Sequence, residues 1–142
     1  MQLKMSTDYA IRIIMYLAKM GKSSTQQIAN DLKISQNYVR KLIRQTELSK
    51  FITSIPGVNG GLTLKKKASE ISLLDVIQTV EKSSFINICL EDSTICDTCK
   101  SFCYDNCPVK KCYADIQAVL DSEYQKIKID ALLTEEFCFK RS

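Results

Sequence analysis

The sequence predicts a mainly α-helical fold with a small β-hairpin wing: a winged helix-turn-helix followed by a long C-terminal dimerisation helix. Three observations carry that expectation. A short helical pattern, a tight turn and a longer helical pattern follow one another before residue 50. Two short β-rich runs around a Pro/Gly/Asn loop come directly afterwards. An apolar stripe at helical spacing recurs late in the chain. The expected organisation is 1–82 as a DNA-binding winged helix and 83–142 as a cysteine-rich sensor loop with a dimerisation helix.

The first helix is expected from about Thr7 to Met20, because Ala10, Ile13, Ile14 and Leu17 fall on one face and Gly21 supplies a C-terminal stop. Ser24 with Gln27 reads as a capping box for a short helix ending near Leu32. Ser35 is placed to N-cap a third helix reaching Leu48. On that helix Tyr38, Val39, Leu42 and Ile43 form a packing face. Gln36, Asn37, Arg40, Lys41 and Arg44 form the opposite one. No acid interrupts this polar face before Glu47, whereas an ordinary solvated face mixes both signs. Amide and guanidinium groups can bond base edges and phosphates.

The wing is read from Phe51-Ile-Thr-Ser-Ile55, the loop Pro56 to Gly61, and Leu62-Thr-Leu64 before Lys65-Lys66-Lys67. Thr25 at the start of the second helix, with Ser35, Tyr38, Asn59, Gly60 and Gly61, completes the candidate DNA-contact set. A further helix is expected from Leu73 to Glu81. A long one should run from Tyr113 to about Lys128, with Ile116, Leu120, Tyr124 and Ile127 forming a seam suited to a homodimer or to packing inside the protomer.

Charge divides the chain of 142 residues. Up to Glu70 twelve basic residues face four acids, whereas from Ile71 eight face twelve, so the front half is the one suited to a polyanion. No apolar run is long enough to span a bilayer, and Asp8, Arg12 and Lys19 interrupt the first 20 residues, so a cytoplasmic protein without a membrane partner is expected. Histidine is absent, which removes the commonest general base and the HExxH metal sites. No enzymatic role is expected.

Six of seven cysteines fall between Cys89 and Cys112. In a reducing compartment that density points to metal or redox chemistry, not to a disulfide framework. Thiolates suit iron–sulfur clusters because soft sulfur matches iron. Cys96, Cys99, Cys103 and Cys107 could instead form a tetrathiolate zinc site. Cys99, Cys103 and Cys107 also stand at i, i+4, i+8 and could act as a thiol switch without metal. Cys112 and Cys138 fit buried hydrophobes. A thiol oxidoreductase built on Cys96-x-x-Cys99 lacks the βαβ context such motifs need.

Across nearly its whole length the chain resembles the Rrf-two winged-helix family that includes the regulators IscR, NsrR and CymR. The resemblance is carried by Met1-Gln2-Leu3 with Thr7-Asp8-Tyr9-Ala10, Ile28-Ala29 with Ile34-Ser35 and Tyr38, and Gly57 with Gly60-Gly61. It continues in Ile71 to Val76, then Cys89 to Cys96, Cys107-Pro108 and the helix from Tyr113. It implies a homodimeric repressor of pseudo-palindromic DNA, with base readout from Ser35, Asn37 and Arg40. Many relatives carry arginine before the first wing glycine. Pro56 stands there, leaving phosphate contacts to Lys65–Lys67.

The family pattern also implies an iron–sulfur cluster held by Cys89, Cys96 and Cys107, with Asp8 as fourth ligand. A helix-end role for Asp8, favoured by the macrodipole, remains the other reading. Ten residues separate Cys96 from Cys107, more than the family spacing, and they contain Cys99 and Cys103 as alternative ligands. The family's alternative histidine ligand is replaced by Lys110. Redox state, nitric oxide or iron–sulfur status would then be the signal. A metal-free regulator controlled by a partner protein, a small effector or thiol oxidation is the alternative.

Overall fold

The computed structural model describes residues 2–45, 47–92, 94–97 and 106–134. Among the described residues the principal elements are α1 (Met5–Met20), α2 (Thr25–Leu32), α3 (Gln36–Gln45), β1 (Ile52–Ile55), β2 (Gly61–Leu64), α4 (Leu73–Val80) and α5 (Pro108–Lys126). Short 3-10 turns at Glu47–Lys50, Ala68–Glu70, Ile88–Leu90 and Ile129–Leu132 join or follow them. This is a winged helix-turn-helix with a long C-terminal helix, as the sequence predicts.

The expected stripe of α1 is its core face: Ala10, Ile13 and Ile14 are fully buried and Leu17 nearly so. Thr7, Met15 and Tyr16 are buried too, so α1 is enclosed on most of its circumference and organises the domain. Each of its large aliphatic side chains contributes roughly 1.5–3 kcal/mol by leaving water. The helix starts two residues before Thr7. Lys4 offers no side-chain cap. The cap comes instead from Glu81, just beyond α4: its carboxylate accepts from the Lys4 backbone N–H (2.9 Å) and the Thr7 hydroxyl, and pairs with the Lys4 ammonium at 2.9 Å.

The Ser24–Gln27 capping box forms in both directions, at 3.1 and 2.8 Å. Helix α2 closes on Lys33 in the left-handed region (φ 56°, ψ 41°), where the Ile34 N–H reaches back to Ala29 O at 3.0 Å. Ser35 then caps α3 by accepting from the Tyr38 N–H (3.1 Å). The third helix stops at Gln45, short of the expected Leu48, which instead lies in the 3-10 turn that carries its side chain into the core.

In the wing, β1 and β2 pair antiparallel with Ile52 opposite Leu64 and Ile55 opposite Gly61. The α1–α2 loop adds a bridge, Ser23 exchanging both backbone bonds with Leu62 (3.0 and 2.8 Å). Gly60 and Gly61 of the wing are sterically required. A Cβ on Gly60 would stand 2.1 Å from the Ile55 carbonyl oxygen, and one on Gly61 (φ 153°) would stand 2.9 Å from that of Ser23.

Helix α5 begins at Pro108, five residues before Tyr113, because proline suits a first helical position and Cys107 supplies the cap. It packs on α4. Beyond it the chain returns to the core: Ile129 is fully buried, its N–H bonds Ile71 O (3.0 Å), and the Leu73 N–H bonds Ile127 O (2.9 Å).

Candidate nucleic-acid interface and cysteine segment

Helix α3 keeps Val39 and Leu42 in the core and holds Ser35, Asn37, Arg40, Lys41 and Arg44 exposed around its outer side. Asn37, Arg40, Lys41 and Arg44 line one open groove of about 540 Å³, so the cationic and amide groups converge instead of scattering. Gln36 and Tyr38 are half-buried. The Gln36 amide donates to the Thr25 hydroxyl at 2.9 Å, joining the first residues of α2 and α3. Tyr38 meets Tyr9 of α1 edge to face at 5.6 Å. These contacts of Thr25, Gln36 and Tyr38 help set the angle of α3, and Asn37, Arg40, Lys41 and Arg44 are its exposed polar residues.

The wing tip presents Asn59 and a fully exposed Val58. The Lys22 ammonium donates to the Asn59 carbonyl at 2.5 Å, a tether between the α1–α2 loop and the tip that sequence reading missed. Lys65–Lys67 follow β2 at the base of the hairpin, at the opposite end from the tip. Lys65 remains exposed there, its ammonium donating to Ser49 O (2.5 Å). The phosphate contacts expected of this run do not extend the tip.

The cysteine segment is built differently. Cys89 and Cys96 are half-buried in chain with little regular structure, the Cys89 N–H donating an Asx-type bond to Asn87 Oδ1 (3.0 Å). Cys107 is half-buried at the start of α5, its Sγ accepting from the Lys110 N–H at 3.5 Å. Cys112 is exposed on α5, which corrects its reading as a buried hydrophobe: it lies on the solvent side of a helix whose single buried residue is Gln117. Cys99, Cys103 and Cys138 lie outside the described residues.

Asp8 sits in the first turn of α1, where its Oδ2 pairs with Arg12 Nε at 2.8 Å. Among the described residues no three Cys, Asp or Glu are gathered as a metal site. The donors suit an iron–sulfur cluster by chemistry, being soft thiolates. Their arrangement among the described residues of one protomer is not a ligand set.

Two polar side chains that sequence reading missed tie this segment to the rest. Gln117, buried on α5, accepts from the Ile86 N–H (2.8 Å) and donates to Asp121 (2.8 Å), pinning the strand of chain that leads to Cys89. Glu81 anchors the start of the same segment to α1, its side chain only 5% exposed. Burial alone would raise its pKa. The hydrogen bonds from Thr7 and Lys4, and the Lys4 charge, outweigh burial and hold the carboxyl below its ordinary value. No local pattern announces either contact, since the partners stand 31 and 77 residues apart.

Comparison with known proteins agrees with this geometry. A family model described as Rrf2, iron-dependent transcriptional regulator, matches residues 3–135. The fold is similar to that of T. potens IscR (TM-score 0.72, 18% identity, covering 100% of this chain and 94% of that one). It is similar to CymR, the global cysteine regulator of B. subtilis (0.72, 20%, covering 93% and 95%). The oxidized form of Staphylococcus aureus CymR also matches (0.66, 22%, covering 93% and 95%).

Proposed function

The chain belongs to the Rrf2 family of transcriptional regulators, and from that premise we propose that it is a homodimeric repressor whose cysteine segment senses redox, nitric oxide or iron–sulfur status. It is a DNA-binding regulator and not an enzyme. The observation that carries the reading is the convergence of Asn37, Arg40, Lys41 and Arg44 on the exposed side of the second helix of a helix-turn-helix. With α3 in a major groove, Arg40 can fork onto guanine and Asn37 onto adenine. Two such helices in a dimer read half-sites of a pseudo-palindrome.

The dimer reading is supported by α5. Val109, Ile116 and Val119 are 58%, 46% and 63% exposed on a helix with an apolar stripe, and a second copy would cover them. In this reading 1–82 is the DNA-binding part and 83–142 the sensing and dimerising part of a cytoplasmic protein. Among the described residues no helix is long and apolar enough to cross a membrane.

For the sensor, Cys89, Cys96 and Cys107 with Asp8 would hold an iron–sulfur cluster, Cys99 or Cys103 being alternatives for the middle ligand. When bound, a cluster would supply a redox- and nitric-oxide-sensitive group. The protein's own part would be to hold the chain leading to Cys89 through Gln117 of α5 and to carry Cys107 at the start of that helix, so that a change in the segment is felt by the dimer helix.

The DNA assignment is tested on a duplex selected from random sequence. Arg40→Ala and Arg44→Ala should each weaken binding by roughly tenfold or more while thermal unfolding stays unchanged. Unchanged affinity for both at moderate salt would remove α3 as the reading element. Anaerobic purification tests the cluster: colourless protein without iron and sulfide after reconstitution removes it.

A metal-free regulator controlled by thiol oxidation, a partner protein or an effector is the second reading. It is favoured by the Asp8–Arg12 pair, which engages the carboxylate expected as fourth ligand, and by the fold shared with a CymR whose structure is of an oxidized form. Repression that stays responsive in a Cys89→Ser, Cys107→Ser double variant would select it.

A further inference from the structure

A second basic concavity lies beside the reading groove. It is lined by Lys4, Ser6, Tyr38, Lys41 and Lys82, and its volume is about 590 Å³. Leu42 and Val80 form its apolar floor. The lining comes from three places in the chain: the start of α1, the recognition helix, and the end of α4 with Lys82 just past it. Lys41 lines both concavities, so one positively charged surface runs from the reading face across Lys41 to Lys4 and Lys82.

The charges there are not spent on one another. Lys41 and Lys82 are exposed, and the Lys4 side chain is 58% exposed although its ammonium touches Glu81. Glu81 faces the α1 terminus and offsets one of the three lysines, which leaves the hollow net cationic. Ser6 and Tyr38 add hydroxyls that can donate to an oxyanion. Three ammonium groups and two hydroxyls over an apolar floor suit a phosphate diester, and the hollow is roomy enough for one.

Its position selects the source of that phosphate. A helix inserted in a major groove is flanked by the two sugar–phosphate strands, and groups on its shoulder meet one of them. Tyr38 and Lys41 are on that shoulder of α3. We propose that this hollow is a backbone-phosphate cradle, in which Lys4 and Lys82 clamp a DNA strand beside the recognition helix. Phosphate contacts fix register and orientation without reading sequence. Lys82 closes the DNA-binding part and adjoins the segment that leads to Cys89, so the clamp stands at the border of the sensing half.

The proposal rests on the DNA-binding reading, and the experiment separates the two. Binding of a mixed-sequence 30-base-pair duplex would be followed across salt concentration for the full chain, Lys82→Gln, Lys4→Gln and Lys82→Arg. Each Gln variant should bind more weakly and flatten the log–log salt slope by about 0.9, the value for one phosphate contact on duplex DNA. Lys82→Arg should restore the slope, and the ranking of different sequences should not change. A steep wild-type slope left unaltered in both Gln variants overturns the cradle while the DNA reading stands. Weaker binding without a change of slope also overturns it, marking a structural effect. Inorganic phosphate raising the melting temperature of the wild type but not of Lys82→Gln, with the DNA slope intact, would assign the hollow to a free anion instead. Absence of any duplex binding by the wild type overturns both readings.

Discussion

The reading half and the cysteine segment are held by different kinds of contact. From α1 to the wing, each helix start is capped and Ile13, Ile14, Leu17, Ile28, Val39 and Leu42 are buried, so this half has its own core within one protomer. From Lys82 to Cys107 the described residues hold little regular structure, chiefly the 3-10 turn Ile88–Leu90, and Cys89, Cys96 and Cys107 are half-buried with no group of three metal donors among the described residues. Specific placement comes from a few polar bonds to Gln117 and Glu81. A DNA reader must be rigid before it meets its site. A sensor must instead have two arrangements close enough in free energy for a signal to choose between them.

That contrast is broken most directly by stability. Ile13→Ala removes a fully buried side chain from the centre of α1 and should cost about 3 kcal/mol, whereas Cys89→Ser, in the lightly packed segment, should cost less than about 1 kcal/mol. Urea unfolding of both variants measures the difference. Equal losses would show that the segment is as tightly packed as the core.

Glu81→Gln probes the joint between the two regions. It keeps the shape but removes the charge that Lys4 and Thr7 serve, and should cost about 1–2 kcal/mol at neutral pH. The folded-state pKa lies below that of an ordinary glutamate, so the folded state favours the ionised form. The stabilisation is complete above the unfolded pKa and fades as pH falls through the folded one. The gap between wild type and Glu81→Gln should therefore close below about pH 4.5 and stay constant above about pH 6. A gap independent of pH would mean that the carboxylate charge is not what holds the joint.

The smallest expected effect lies in the reading half. Lys33 pays a steric cost at φ 56°, and Lys33→Gly should gain a few tenths to about 1 kcal/mol. A loss in thermal unfolding would show that the Lys33 side chain makes a compensating contact.

The same contrast decided what the sequence could reveal. Capping boxes, the turn before Ser35, the wing and the one-signed face of α3 are set by residues within about a dozen positions of one another, and they were legible. The long-range joints were not. Nothing near Glu81 announces a cap for α1, and Ile129 carries no mark that separates a core plug from a residue of the late helix. The cysteine pattern shows which atoms are soft donors, but convergence is a property of three-dimensional chain paths, and Cys99 and Cys103 fall outside the described residues. Lys4 and Lys82 escaped notice for a related reason: each is a lone lysine in the sequence, and only the fold sets them around one hollow with Lys41.

The return of Ile129 to the core has a bearing on biosynthesis. Translation delivers the reading helices first, yet the slot beside Ile71 stays open until residue 129 has been made. A nascent chain that ends within α5 lacks the plug of its own core. Completion of the core is thereby tied to synthesis of the helix that would pair two copies, so truncated products would be deficient in both.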